Sequence, residues 1–432
     1  MFIRDNMKNV QNENPDQYSP HDIRDNSIFK SLSQTNQSFI SKIAADYRLT
    51  YMDLLKIITA ACDLEMWGIE KTAELWPKHI PHEHGGKQYR QKILKYFFSG
   101  YESIKASPRS YKNIVPDLPS IIYSTQILSN KKKILGKCPV ASEKTRCCNL
   151  QTLDAVINCG FACTYCAIAP FYGSSAVSFH SDLDKQLNAI DIQPDKLYHI
   201  GTGQSSDSLM FGNKHGILDK LFSFAEKHPN VILELKTKAS LPIYMQEKPI
   251  PRNVITTWTL NTPSIIAHEE KGTARLDERI NGAFQITKKG NVTGFHFHPI
   301  VYYDGWQDDY SDLAEKVLNK IDPSKVAMVS LGTLTFIKPV LRQIRERKLH
   351  SSILRMPMEE TAGKYSYPQK LKLEMFSHLY NCFKPWHGRV FFYLCMEPAS
   401  LWRPVFGYEY ADNDQFEAAM KKKYYSVIDS LS

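Results

Sequence analysis

The chain has 432 residues, 43% apolar and 23% charged, which is enough material for a sizeable core and excludes a disordered or fibrous protein. Its 54 Lys and Arg against 45 Asp and Glu leave a net charge of +9, mild for this length, so an anionic partner is permitted but not required. The length suggests about three units of about 150 residues, or one larger α/β barrel with additions. Nine cysteines are an odd count that suits reduced thiols or ligands better than a disulfide framework.

Met1 to Gln37 is rich in Asn, Asp, Gln and Ser and holds no apolar stretch long enough for a signal peptide. Nowhere do about 18 apolar residues run together, so the expected location is the cytoplasm, with no membrane partner. Residues 1–37 read as a flexible lead-in. A mainly helical region, 38–134, follows. Thr50 and Asp53 have capping-box spacing, and Leu54, Leu55, Ile58, Cys62 and Met66 then keep a helical rhythm up to Gly68. Trp67 and Trp76 are expected core anchors. His79, His82 and His84 fall in a Pro- and Gly-bounded stretch without a second ligand pair, and read as a solvated loop.

From residue 135 to 348 the pattern alternates. Strand-like runs at Leu153–Asn158, Lys196–Gly201, Val231–Lys238, Asn253–Asn261, Val292–Tyr302 and Lys325–Thr335 are separated or followed by helical ones. The helical runs are Asp182–Ile190, Gly216–His228, Arg279–Lys289, Asp312–Ile321 and Lys338–Arg347. Such βαβ units predict a parallel sheet, curled into a partial barrel or lying flat and doubly wound. In either form the functional residues belong at the C-terminal ends of the strands. Residues 349–432 read as a small C-terminal α/β cap.

The first predicted strand runs into Cys159, Cys163 and Cys166, in C-x-x-x-C-x-x-C spacing. Three thiolates on one loop can converge on a metal centre. A zinc finger would need a matching ligand pair downstream, and none follows. An iron–sulfur cluster needs only thiolates, and three of them leave a fourth iron open for a ligand. The second strand ends in GTGQSSDSL, whose Gly201 and Gly203 permit close backbone approach beside Ser206 and Asp207.

Spacing, position and the aromatic before the third cysteine resemble the radical S-adenosylmethionine superfamily. The finer resemblance, over roughly residues 135 to 410, is to the spore photoproduct lyase family of DNA-repair enzymes. It is carried by CPVASEKTRCCNLQTLDAVINC, GTGQSSDSL, LELKTK, WTLNTPS, GTARLDERI, PIVYYDGW, AGKYSYPQKLKLEM and YLCMEPASLW. The resemblance implies a partial (β/α)6 TIM-like barrel and a [4Fe–4S] cluster on the three cysteines. It also implies S-adenosylmethionine held by Gly201, Gly203, Ser206, Asp207, Lys238, Thr259 and, in a neighbouring motif, Asn261. The implied activity is reductive cleavage of S-adenosylmethionine to a 5′-deoxyadenosyl radical that acts on a DNA lesion. A flavodoxin- or ferredoxin-like reductant is the implied partner. Tyr165 matches one tyrosine of the family's hydrogen relay. The family's second relay tyrosine is Ala167 here and its donor cysteine is Gln204, so Cys395, Cys147 or Cys148 is the substitute donor to consider. Radical modification of RNA, a peptide or a small molecule, and a non-catalytic metal-binding module, are the other readings.

Three further features carry separate expectations. His296 and His298 alternate with Phe295 and Phe297, so both imidazoles share one face of a strand, lumen or helix side. The runs Lys131–Lys133, Lys137, Lys144, Arg146 and Arg342, Arg345, Arg347, Lys348 offer phosphate neutralisation. Lys364, Tyr365 and Tyr367 mix a cation with aromatics, as a nucleic-acid-contacting loop would.

Overall fold

The computed structural model describes residues 20–69, 72–78, 86–112, 114–116, 123–129, 133–138, 145–167, 176–347, 349–361 and 363–431. They fall into two units: Met1–Ser107 with Arg342–Arg355, and Pro108–Leu341 with Met356–Ser432. No helix among the described residues is long and apolar enough to cross a membrane.

The first unit is helical: α1 (Ser27–Ser31), α2 (Gln34–Tyr47), α3 (Tyr51–Met66) and α4 (Lys87–Ala106). Helix begins earlier than the composition of the first 37 residues suggests. Asn26 caps α1 by accepting from the Ile28 and Phe29 amides, and both of those side chains are buried. The capping box at α3 forms as expected: the Asp53 amide donates to the Thr50 hydroxyl, and the Thr50 amide to the Asp53 carboxylate. Trp67 and Trp76 are buried core anchors. Asp63, fully buried, takes two bonds from Arg345 at 2.7 and 2.9 Å and one from the Tyr101 hydroxyl at 2.7 Å.

The second unit is built on a curled, half-barrel sheet of eight strands. These are β1 (Leu135–Lys137), β2 (Gln151–Leu153), β3 (Tyr198–Thr202), β4 (Val231–Thr237), β5 (Val254–Thr259), β6 (Thr293–Ile300), β7 (Val326–Thr333) and β8 (Phe391–Leu394). The order across the sheet is β8-β7-β6-β5-β4-β3-β2-β1. β2 to β8 run parallel, and β1 pairs antiparallel with β2 at one edge. Helices α5 (Leu183–Asn188), α6 (Ile217–Lys227), α7 (Pro263–Glu269), α8 (Leu276–Lys288), α9 (Trp306–Lys320), α10 (Lys338–Glu346) and α11 (Gln369–Cys382) lie between successive strands.

All six expected strands contribute, and two short edge strands enlarge the sheet to eight. One expected run divides. β2 stops at Leu153, where the Ala155 amide turns back to the Leu153 carbonyl at 3.1 Å. Val156–Ile157 then pairs antiparallel with Val177–His180 in a separate three-stranded sheet. Asn158 closes that excursion with φ +70, a left-handed conformation that Asn tolerates.

Candidate active site

The cysteine segment is anchored by a two-residue antiparallel bridge. Cys163 sits opposite Glu270 and Ala162 opposite Lys271, just after α7. The Thr164 amide donates to the Glu269 carbonyl at 2.9 Å, and the Thr164 hydroxyl bonds the Glu269 carboxylate. The segment is thereby fixed across the mouth of the sheet rather than left as a free loop.

Cys159, Cys163 and Cys166 line one cavity of about 270 Å³. Its wall also holds Tyr165 from the same segment, and Gly203, Ser206, Asp207, Lys238 and Thr259 from the C-terminal ends of β3, β4 and β5. The side chains differ in their freedom. Both Asp207 oxygens are committed: Oδ1 accepts from the Leu209 and Met210 amides and the Thr237 hydroxyl, Oδ2 from the Lys238 amide at 2.7 Å. Asp207 therefore shapes the loop, although burial raises its pKa. Ser206 Oγ is buried and has no hydrogen-bond partner among the described residues. Gly203 has φ +89, and a Cβ there would lie 2.6 Å from the Lys236 carbonyl oxygen, so only glycine fits.

These features suit the implied cofactors. None of the three cysteines is in a disulfide among the described residues, and burial pushes Cys159 up and Cys163 to about 11, so metal binding must remove their protons. Lys238 Nζ lies 3.8 Å from Cys163 Sγ and favours the thiolate. A lone tetrahedral zinc would need sulfurs about 3.8 Å apart. Among the described residues no three His, Cys, Asp or Glu side chains gather to hold a single ion. An all-sulfur donor set around a larger centre fits an iron–sulfur cluster. The glycine cradle and the orphaned Ser206 hydroxyl leave a polar berth beside it.

Behind the cysteines lies a buried charge network. Glu270 Oε2 accepts from Arg279 at 2.7 Å, and Oε1 takes Lys238 at 3.2 Å, Asn261 Nδ2 at 3.3 Å and the Tyr165 hydroxyl. Burial opposes the Glu270 charge, but Lys238 and Arg279 outweigh it and hold its pKa down at about 2. Burial likewise opposes the charge on Lys238, which the Cys163 sulfur and Glu270 more than offset, leaving its pKa raised. Tyr165, by burial and the nearby carboxylate, is held well above the ordinary phenol. Glu270 was not anticipated from sequence; its only signal was a pair of glutamates two residues before the GTARLDERI stretch.

A second buried network lies deeper in the half-barrel. Lys236, Thr259 and His298 line the cavity, and the strand period of two puts Glu234, Thr257 and His296 on the same inner face. Glu234 accepts from His199 Nε2 at 2.8 Å, His296 Nε2 at 2.6 Å and the Thr257 hydroxyl at 2.7 Å. His296 and His298 therefore face the lumen, not the helices.

Other expected residues lie elsewhere. Gly201 packs against Leu150 and is not in the cavity wall. Asn261 is fully buried behind it, bonding the Pro299 carbonyl at 3.0 Å and the Tyr310 hydroxyl at 2.7 Å. Cys395 also lies outside the wall, where its neighbour Met396 stands; its amide is bonded to the Leu331 carbonyl at 2.8 Å, and burial pushes its thiol to about 12. Cys147 and Cys148 are absent from the wall too; a bond from Cys148 holds Cys147 down at about 6.

The basic runs are largely spent on structure. Arg345 serves Asp63, Arg342 pairs with Glu346, and Arg146 donates to the Tyr410 and Ala411 carbonyls at 3.0 and 2.6 Å. Lys133 and Lys137 are exposed, whereas Lys131, Lys132, Lys144 and Lys348, like His79, His82 and His84, lie outside the described residues. Tyr365 is half-buried and bonded to Glu360, while Tyr367 is buried and accepts from the Tyr302 amide.

A half-barrel with three cysteines at its mouth and a glycine cradle beside them is similar to the sites of the radical S-adenosylmethionine class. In particular, the family model described as spore photoproduct lyase matches residues 193–377. A spore photoproduct lyase of Clostridium acetobutylicum is 24% identical over 226 residues, which cover 50% of this chain and 65% of that relative. One of Bacillus subtilis is 37% identical over 60 residues, 14% of this chain and 18% of that one. Among solved structures, a spore photoproduct lyase double mutant with bound AdoMet and dinucleoside spore photoproduct superposes with a TM-score of 0.52 at 15% identity. That superposition covers 70% of this chain and 94% of the other.

Proposed function

We propose that the chain is a cytoplasmic radical S-adenosylmethionine enzyme that acts on spore photoproduct-type lesions in DNA, reduced by a flavodoxin- or ferredoxin-like partner. The observation that carries this reading is one cavity lined by Cys159, Cys163 and Cys166 together with Gly203, Ser206, Lys238 and Thr259. The relatives named above, one of them holding AdoMet and a dinucleoside lesion, support it. A [4Fe–4S] cluster with S-adenosylmethionine, when bound, supplies hydrogen-atom abstraction by a carbon-centred radical.

The chain's own residues hold and dry that site. The three thiols are the only groups asked to bind metal. Lys238, pinned by Glu270 and lying 3.8 Å from Cys163 Sγ, stabilises a thiolate there. Gly203 admits a ligand against the backbone, and Ser206 Oγ offers it an unused hydroxyl. Asp207 fixes the β3 loop to the end of β4, so the berth is preorganised. Asn261 and Arg279 act from behind: Arg279 ties Glu270 to the Thr259 carbonyl at 2.8 Å.

A second reading rests on Gln204 and Ala167, which line the cavity where the resembling family has a thiol and a phenol. It assigns the same radical chemistry to another substrate. The test is anaerobic reconstitution, followed by incubation with S-adenosylmethionine, dithionite and dinucleoside spore photoproduct. About four irons per chain, 5′-deoxyadenosine, and restored thymine pairs by mass spectrometry are expected, and Cys163→Ala should abolish all three. 5′-Deoxyadenosine without thymine restoration would favour the second reading; zinc without iron or sulfide would sink both.

A further inference from the structure

The lumen of a parallel barrel is ordinarily filled by branched apolar side chains. Here it holds His199, Glu234, Thr257, His296, His298 and Ser330, and His298 opens onto the cavity. Burying that much polarity is costly unless every group is positioned for a purpose.

His298 is held with care. Its Nε2 lies 2.9 Å from Ser330 Oγ. Ser330 is fully buried, and among the described residues its hydroxyl has this ring nitrogen as its sole hydrogen-bond partner. The hydroxyl therefore donates to Nε2, which leaves the proton of the neutral ring on Nδ1. Burial favours that neutral ring, as do the surrounding charges taken together: Lys236 and Lys238 from β4 and its end, His296 on β6, and against them Glu234. No described residue bonds Nδ1. Gly332 makes the space: a Cβ there would lie 3.0 Å from His298 Cδ2 and 3.2 Å from Nε2. Beneath, the His296 ring packs edge-on at 5.1 Å and is itself locked by Glu234. The rest of the wall is split in character. Phe161, Leu334, Phe336 and Met396 are apolar, whereas His298 and Lys236 are polar. Such a slot suits a flat ring with carbonyls along one edge.

We propose that His298 contacts substrate, donating from Nδ1 to a carbonyl of a pyrimidine base, with Ser330, Gly332 and the His296–Glu234–His199 network as its positioning residues. The choice of a pyrimidine rests on the DNA-lesion reading above; the placement of the donor rests on geometry alone. Titration of the iron-loaded protein with thymidylyl-thymidine, and separately with S-adenosylhomocysteine, tests it. His298→Phe should weaken thymidylyl-thymidine about 10-fold, the loss of one hydrogen bond of about 1.4 kcal/mol, while S-adenosylhomocysteine binding and iron content stay within about 2-fold. His298→Gln, which keeps a donor, should recover part of the loss. Nitrogen NMR of labelled histidine should find the His298 proton on Nδ1, and in Ser330→Ala shared between both nitrogens. Unchanged dinucleotide affinity in His298→Phe, a loss confined to S-adenosylhomocysteine, or no dinucleotide binding by the wild type would each overturn the proposal. Failure of the DNA-lesion reading looks different: the wild type would then form 5′-deoxyadenosine but restore no thymine from dinucleoside spore photoproduct.

Discussion

Two buried carboxylates in the half-barrel solve the same problem by different means. Glu270, at the mouth, is neutralised by Lys238 and Arg279, two cations that stay charged throughout the working pH range. Glu234, in the lumen, is satisfied by two imidazoles and a hydroxyl, none of which needs to carry charge. The first arrangement is a fixed electrostatic frame that holds the cysteine bridge and the lysine beside Cys163. The second is a hydrogen-bonded plug built from groups that can stay neutral. A site that must stabilise thiolates gains from the first kind, and a site that must present a neutral donor gains from the second.

Breaking the frame should cost most. Glu270→Ala leaves a buried guanidinium and a buried ammonium without their shared anion, a loss of about 3–5 kcal/mol. Urea unfolding at pH 7 measures it, and a loss below about 1 kcal/mol would mean that water replaces the carboxylate. Acid should then separate the two sites. Burial and Lys236 hold His296 down at about 4, so between about 6.5 and about 4 the unfolded chain takes up a proton that the folded chain refuses. Stability therefore falls as pH drops through that window, by about 3 kcal/mol for this ring. Glu270 behaves otherwise: its contribution is complete above about 4.5 and is lost only as pH falls toward about 2. Unfolding free energies measured from pH 7 to 4 should show this slope, reduced by about one proton in His296→Asn. An unchanged slope in that variant would sink the assignment.

The difference between the sites also decides what was legible in sequence. Six strands, the cysteine spacing and the glycine turn are local signals, and each led to its place: Cys159, Cys163, Cys166, Gly203 and Ser206 share one cavity. Glu270 was missed because its importance comes from partners 105 residues earlier at Tyr165 and 32 earlier at Lys238, a pairing made only by the curl of the sheet. Strand alternation put His296 and His298 on one face but left open which face, since the carboxylate that settles it belongs to a strand 62 residues away. Arg345 and Arg146 misled for the same reason. A basic run looks solvated until its acceptors, here Asp63 and two carbonyls near residue 410, are brought to it by tertiary structure.

The smallest perturbation is the most discriminating. Thr257→Val keeps the branched shape and removes only the hydroxyl that donates to Glu234 Oε1 at 2.7 Å. Two imidazole donors remain on the carboxylate, one to each oxygen. The expected cost is about 1 kcal/mol, the net worth of one hydrogen bond, read as a lower urea midpoint with an unchanged denaturant slope. With the hydroxyl gone, Glu234 Oε1 accepts from His296 Nε2 alone and holds that proton more tightly, so the His298 ring packed at 5.1 Å keeps its seat and dinucleotide affinity should stay within about 2-fold. A loss as large as that of Glu270→Ala would show that the lumen is a rigid frame after all. A change of zero would show that two imidazoles saturate Glu234 and that the hydroxyl merely fills space between them.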